Sequence, residues 1–250
     1  MFQQSIKQYL QVHSYNQLNL KAVLFDMDGV LFDSMKNHAI AWHEAMKLFG
    51  MHLSQEEAYL HEGRTGASTI NIVSIRQRGK EATTEEIEEI YNKKSDIFNS
   101  LPTPSRMPGA FELLQQVKQC GLTPVVVTGS GQKTLLERLN RYFPHIFTPE
   151  LMVTAFDVKY GKPNPEPYLM ALSKAHIHAN EAIVVENAPL GIQAGVTAGI
   201  YTIAVNTGPL PDTALNEAGA NYIFPSMQAL SEQWDSFFQT TLTIKTELLQ

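Results

Sequence analysis

Apolar positions along this chain follow two different periods. An unbroken run, Ala22-Val23-Leu24-Phe25, meets Asp26-Met27-Asp28-Gly29, which predicts a buried strand that delivers two carboxylates to its carboxyl end before a glycine turn. The period then lengthens. Ile40, Trp42, Met46, Leu48 and Phe49 predict a helix capped by Asp33-Ser34 and stopped by Gly50. Further helices are predicted from Ser54 through Leu60, from Thr69 to Ile75 and from Thr84 to about Asn99, the last opened by a capping box between Thr83 and Glu86. Residues 35–100 hold no strand-like run, and Pro102, Pro104 and Pro108 punctuate the exit from this helical block.

Beyond Pro108, helices and strands alternate. A helix from Ala110 to Gln119 leads to a β-branched run from Leu122 that stops at Thr128-Gly129-Ser130-Gly131. Another helix and the short run Leu151-Met152-Val153-Thr154 lead to the loop Gly161-Lys162-Pro163-Asn164-Pro165. A helix over 166–175, a strand from Ala182 to Glu186, a helix over 189–198 and strands over 201–205 and 222–224 follow. A last helix from Ser226, with Leu230, Trp234 and Phe237 or Phe238, closes the core. Strands apolar on both faces that alternate with helices predict an α/β fold, a mainly parallel sheet covered on both sides. Its strands then end on one edge, where such sheets bind ligands. About a hundred residues separate Asp26 from Thr128, whereas a simple crossover takes roughly thirty. The excess is the helical block, expected to be an inserted domain over that edge. At the other end of the chain, Phe2, Ile6, Tyr9 and Leu10 share one helix face, so a short docked helix is expected within the first 20 residues.

Composition narrows the class. A chain of 250 residues, 44% apolar, can build a large core. Its net charge of −6 argues against nucleic acid or an anionic membrane as partner. The single Cys120 excludes an internal disulfide and suits a reducing compartment. No apolar run approaches the roughly 18 residues of a membrane span, and the amino-terminal stretch lacks the basic-then-apolar order of a signal. A cytoplasmic monomer is the expectation.

Four stretches bring polar groups to the predicted edge: Asp26 and Asp28; Thr128, Gly129 and Ser130; Lys162; and Glu186 with Asn187. Singly, each has an ordinary structural explanation, such as an Asp-rich turn, a strand-to-helix cap, a surface lysine or a solvated loop. Together they have the chemistry of phosphoryl transfer. A transferring phosphoryl group spreads negative charge over its oxygens, and the Thr128 hydroxyl, the Gly129 amide and the Lys162 ammonium are suitable donors. Mg2+ is the expected further cation, held by Asp26, the Asp28 carbonyl and Asn187, with Glu186 orienting a bound water. Asp26 would be the nucleophile that forms an aspartyl-phosphate. Asp28 would protonate the leaving oxygen and then deprotonate the incoming water.

Phe25-Asp26-Met27-Asp28-Gly29-Val30, Val127-Thr128-Gly129-Ser130, Gly161-Lys162-Pro163 and Val185-Glu186-Asn187-Ala188-Pro189-Leu190-Gly191 resemble the four motifs of the haloacid dehalogenase (HAD) superfamily. The helical block resembles the cap of its β-phosphoglucomutase-like branch. The resemblance implies a Rossmann-like, three-layer α/β/α core over 21–35 and 104–250, an all-helical cap domain over 36–103, an extension over 1–20, and the roles just assigned. Carbon–halogen chemistry is disfavoured, because enzymes of that kind lack the aspartate that Asp28 matches.

Some positions depart from the pattern. Glu186-Asn187 stands where an acidic pair is usual. Gly66 and Gly131 stand where mutase relatives carry the arginine and lysine that hold a second phosphate, with Arg64 or Lys133 as candidates to replace them. His61-Glu62-Gly63-Arg64-Thr65-Gly66 resembles the cap loop of inorganic pyrophosphatases in the superfamily, which would aim Glu62 at metal-bound water. His38 and Trp42 are candidates to face substrate, with helix packing as the alternative; Arg76 and Arg78 are expected in solvent. The expected activity is Mg2+-dependent hydrolysis of inorganic pyrophosphate, with small phosphorylated substrates as the only partners. The alternatives are a β-phosphoglucomutase-type mutase or a phosphatase of another small phosphate ester.

Overall fold

The computed structural model describes residues 2–131 and 135–245, so Lys133 lies outside the described residues. Six strands, β1 (Ala22–Phe25), β2 (Thr123–Val127), β3 (Met152–Val153), β4 (Ala182–Glu186), β5 (Tyr201–Val205) and β6 (Tyr222–Phe224), form one parallel sheet in the order β3-β2-β1-β4-β5-β6. Helix α1 (Phe2–His13) precedes it. Helices α2 (Met35–Leu48), α3 (Gln55–Leu60), α4 (Gly66–Arg78), α5 (Thr84–Ser100) and α6 (Ala110–Gln119) all lie between β1 and β2. The later connections and the end of the chain supply α7 (Leu135–Tyr142), α8 (Glu166–Ala175), α9 (Pro189–Thr197), α10 (Asp212–Glu217) and α11 (Met227–Thr243).

The alternation of strand side chains divides the core. Val23, Phe25, Val126, Ile183 and Val185 pack in one cluster with residues of α1, α6, α7 and α11, while Leu24, Val125, Val127 and Val184 pack with residues of α8 and α9. This is the expected three-layer α/β/α arrangement. The apolar face of α1 docks as its pattern predicts: the Phe2 ring meets Tyr222 and Phe237 at 4.9 and 5.5 Å, and the Tyr9 hydroxyl donates to Gly199 O at 2.7 Å. Met227, Leu230, Trp234 and Phe237 are core residues of α11, and Phe238 is only partly buried. Among the described residues no helix is long and apolar enough to cross a membrane.

Helices α2, α4 and α5, with the segment between α2 and α3, form an apolar cluster of their own, including Met46, Leu53, Ile70, Val73 and Ile90. The capping box is present, with Glu86 N donating to Thr83 Oγ1 at 3.2 Å and Thr83 N to Glu86 Oε2 at 3.0 Å. Helix α4 starts earlier than its apolar spacing predicts because the Thr65 side chain caps it. Ser34 corrects another expectation. It sits at the start of α2 without a capping hydrogen bond, its backbone (φ −113°, ψ −13°) lacking the extended geometry of a cap, and its hydroxyl donates to Asp28 Oδ1 at 2.5 Å.

Parallel register pairs Phe25 with Val126 and with Val185. Asp26, Thr128 and Glu186 therefore leave the sheet on the same edge, beside the point where strand order reverses about β1.

Candidate active site

The backbone of Asp26 is still held by the sheet, its amide donating to Val185 O at 3.0 Å. Its Oδ1 accepts from Lys162 Nζ at 2.5 Å, and the same ammonium donates to Glu186 Oε1 at 2.6 Å and Val127 O at 3.1 Å. All three Lys162 protons thus have protein acceptors. Lys162 thereby orients Asp26. Glu186 is equally occupied: Oε1 also accepts from the Tyr168 hydroxyl at 3.0 Å, and Oε2 accepts from the amides of Asn187 and Ala188 at 2.9 and 3.1 Å. Its carboxylate anchors Lys162 from the end of β4. Gly191 leaves room for that carboxylate, since a Cβ there would lie 1.7 Å from Glu186 Oε1.

Burial would lower the Lys162 ammonium, but Asp26 and Glu186 outweigh it and hold it well above its ordinary value. Asp26 is pushed up to about 8, by burial first and then by the charges of Glu186 and Asp28, against the pull of Lys162. Negative charge is in excess around one ammonium.

A glycine turn separates the two aspartates. Gly29, at φ +82°, donates its amide to Phe32 O at 2.8 Å, and a Cβ there would strike Asn187 Nδ2 at 2.1 Å. Besides Ser34, Asp28 Oδ1 lies 3.1 Å from His38 Nε2 and 3.8 Å from Arg138 Nη2. Lys94 Nζ lies 2.8 Å from His38 Nδ1. An ammonium can only donate, so a neutral His38 carries its proton on Nε2, facing Asp28. Burial would raise Asp28, but His38, Arg138 and Ser34 hold it well below the usual carboxylate range. Lys94 is buried among the rings of Trp42, Tyr91 and Phe98, 5.2 to 5.8 Å from their centroids, and burial pushes it down to about 8.

The other wall comes from β2 and the loop between α3 and α4. The Thr128 amide donates to Val153 O at 2.9 Å and its Oγ1 accepts from Ser130 N at 3.1 Å. Gly129 passes beneath the loop, where a Cβ would meet Gly63 O at 2.8 Å and Arg64 O at 2.9 Å. That loop carries Glu62 to the sheet edge, and Glu62 Oε1 accepts from Asn187 Nδ2 at 2.7 Å. Burial, then the charges of Asp26, Glu186 and Asp28, push the Glu62 carboxyl well above its ordinary range despite that hydrogen bond. Arg64 lines the same chamber with its Nε buried and unpartnered. The chamber measures about 70 Å³ and is lined by Asp26, Asp28, His38, Glu62, Thr128 and Ser130 among others; sites for drug-sized ligands run to roughly 300–1,000 Å³.

Trp42 lines the chamber as well, whereas Arg76 and Arg78 pair with Glu57 and Glu86 at the surface. Sequence reasoning misses Lys94, Tyr91, Arg138 and Tyr168. A polar residue on the apolar stripe of α5 is the one signal that could have found Lys94.

The residues present suit a hard divalent cation. Asn187 Oδ1 is buried without a partner, and Asp26 and Glu62 stand close to further carboxylates. Asp26, the Asp28 carbonyl, Asn187 and Glu62 are oxygen donors of the kind magnesium takes. Among the described residues, His, Cys, Asp and Glu side chains alone form no metal-sized cluster. The amide and carbonyl oxygens complete the set.

Comparison with known proteins agrees with this chemistry. The sequence model of the family described as haloacid dehalogenase-like hydrolase matches residues 23–205. Hexitol phosphatase A of Escherichia coli (strain K12) is 29% identical over 202 residues, which cover 80% of this chain and 89% of that protein. The phosphorylated carbohydrates phosphatase of Thermotoga maritima is 30% identical over 210 residues, covering 80% and 92%. A solved structure from Bacteroides vulgatus, provisionally described as a beta-phosphoglucomutase, matches with a TM-score of 0.94 at 62% identity, over 96% of this chain and 98% of that one.

Proposed function

The chain belongs to the haloacid dehalogenase-like hydrolase family, and from that premise we propose that it is a magnesium-dependent phosphohydrolase of a small phosphate ester, working through a phosphorylated Asp26. One observation carries the reading: two carboxylates at a single strand end face one chamber, Asp26 gripped by Lys162 at 2.5 Å and Asp28 by Ser34 at 2.5 Å. Bound magnesium would offset the repulsion between the carboxylate nucleophile and its anionic substrate. The remaining work falls to the chain's own residues. An Asp26 oxygen bonds to phosphorus as the bond from phosphorus to the leaving oxygen breaks, and that oxygen takes a proton from Asp28, whose carboxyl His38, Arg138 and Ser34 keep ionised until the anionic substrate beside it favours the protonated form. Water then attacks phosphorus and gives its proton to Asp28, and phosphate departs with Asp26 restored. The Thr128 hydroxyl and the Gly129 amide donate to the phosphoryl oxygens. Residues 36–103 act as a cap that closes over the core of 21–35 and 104–250, a division supported by the separate apolar cluster of α2, α4 and α5.

An ester is preferred to pyrophosphate because the relatives above are named for hexitol and carbohydrate phosphates and none for pyrophosphate. Inorganic pyrophosphate is retained as a second reading on one observation, the Glu62–Asn187 hydrogen bond of 2.7 Å. A carboxylate brought beside the Asn187 side chain would help to hold magnesium there, which suits a compact, highly charged substrate. Steady-state turnover of glycerol phosphate, glucose 6-phosphate, β-glucose 1-phosphate and pyrophosphate, all with magnesium, tests the assignment. Phosphate release from an ester in preference to pyrophosphate is expected. Cleavage of pyrophosphate alone would establish the second reading. Isomerisation of β-glucose 1-phosphate without phosphate release would overturn both in favour of a mutase.

A further inference from the structure

Tyr91 reaches from α5 across the roof of the chamber. Its ring lies against Gly66 at the start of α4, where a Cβ would sit 2.2 Å from ring atom Cδ2 and 2.4 Å from Cε2. Its hydroxyl accepts from the Gly131 amide at 3.3 Å and is hydrogen-bonded to the Ser130 side chain. One side chain thus spans from the helical segment to the loop after β2. Neighbours hold it there, with the Trp42 ring centroid at 6.3 Å and Lys94 Nζ 5.8 Å from its own. Tyr91, Trp42 and Gly66 line the same chamber as Asp26 and Thr128.

In-line displacement decides what this position can do. The attacking and leaving oxygens lie roughly on opposite sides of phosphorus. Attack by Asp26 from the sheet edge therefore sends the leaving group towards the helical roof. We propose that Tyr91 is the specificity-determining residue that limits the size of this leaving group, an inference that rests on the phosphohydrolase reading above. With the ring in place the roof is closed over Gly66, and the chamber admits a phosphoryl group with a triose-sized polyol or a second phosphoryl group. Without it, Gly66 has no side chain to fill the gap, and a hexose can extend into the space.

The test compares wild type, Tyr91→Ala and Tyr91→Phe on glycerol phosphate and glucose 6-phosphate with magnesium. Tyr91→Ala should raise kcat/KM for glucose 6-phosphate relative to glycerol phosphate by about tenfold, chiefly through KM. Tyr91→Phe keeps the ring and should keep the wild-type ranking. Equal losses on both substrates in Tyr91→Ala, with the ranking unchanged, would overturn the proposal. Binding reads the same discrimination without turnover. By calorimetry with magnesium, the Asp26→Asn chain should bind glucose 6-phosphate about tenfold more tightly once Tyr91→Ala is added; unchanged or weaker affinity would overturn the proposal. If wild type hydrolyses neither ester, the reaction assignment falls, and the binding result still decides the role of Tyr91.

Discussion

Glu62 Oε1 accepts a 2.7 Å hydrogen bond from the Asn187 side-chain amide, which joins the loop after α3 to the end of β4. Asn187 Oδ1 on the same side chain is buried and free of protein partners. A cation bound at Asn187 would therefore lie within the influence of Glu62. Removing the carboxylate in Glu62→Ala should raise the magnesium concentration for half-maximal turnover by about tenfold. An unchanged magnesium titration would place Glu62 outside the metal's surroundings.

Lys162 sits between two buried carboxylates, Asp26 at 2.5 Å and Glu186 at 2.6 Å. Lys162→Met removes the charge both depend on and leaves them unpaired in a dry interior. Chemical denaturation should show a loss of about 3–5 kcal/mol together with loss of turnover. A variant as stable as wild type would contradict the view that Lys162 is held by the protein rather than by substrate.

Gly191→Ala would place a methyl group 1.7 Å from Glu186 Oε1. The Glu186 carboxylate must move, releasing Lys162 and through it Asp26. A stability loss of about 1–3 kcal/mol is expected, with turnover falling further than stability alone accounts for. Wild-type turnover in a folded Gly191→Ala chain would show that the anchor is dispensable.

These anchors also show how far the sequence could be read. The strands of the sheet were legible because each is an apolar run that ends abruptly on polar or glycine residues, as at Phe25-Asp26 and Val127-Thr128. The partners of those polar ends were not. Lys94 lies in a charged helix of Glu, Asn and Lys residues, and only the rings of Trp42, Tyr91 and Phe98, two of them on its own helix, turn it into a buried cation. Ser34 stands in a capping position by sequence, but its backbone is not extended as a cap's is, and its hydroxyl gives its proton to the Asp28 carboxylate, which only the fold brings beside it. Glu186 carried the chemistry of a metal neighbour, and it took the positions of Lys162 and Tyr168 in space to show it as an anchor.

Asp157 supplies a pH-dependent contribution remote from the chamber. Its Oδ1 accepts from Lys174 Nζ at 2.7 Å and its Oδ2 from the amide and hydroxyl of Thr154, each at 2.8 Å. Partial burial raises its carboxyl, but Lys174 and Thr154 outweigh that and hold it below its ordinary value. The unfolded chain therefore takes up this proton first. The stabilisation is complete above the unfolded carboxyl's pKa of roughly 4 and is lost as pH falls through the lower folded value. Asp157→Asn should cost about 1 kcal/mol at neutral pH and much less near pH ~2, by denaturant titration at each. An equal cost at both would contradict the ionic origin of the tie.

Trapping the covalent intermediate tests the central claim most directly. Acid quenching during turnover of a small phosphate ester, followed by mass analysis of the peptides, should find one added phosphoryl group on the peptide that carries Asp26, and none in the Asp26→Asn chain. Steady turnover with no phosphorylated Asp26 peptide, or turnover that survives Asp26→Asn, would contradict it.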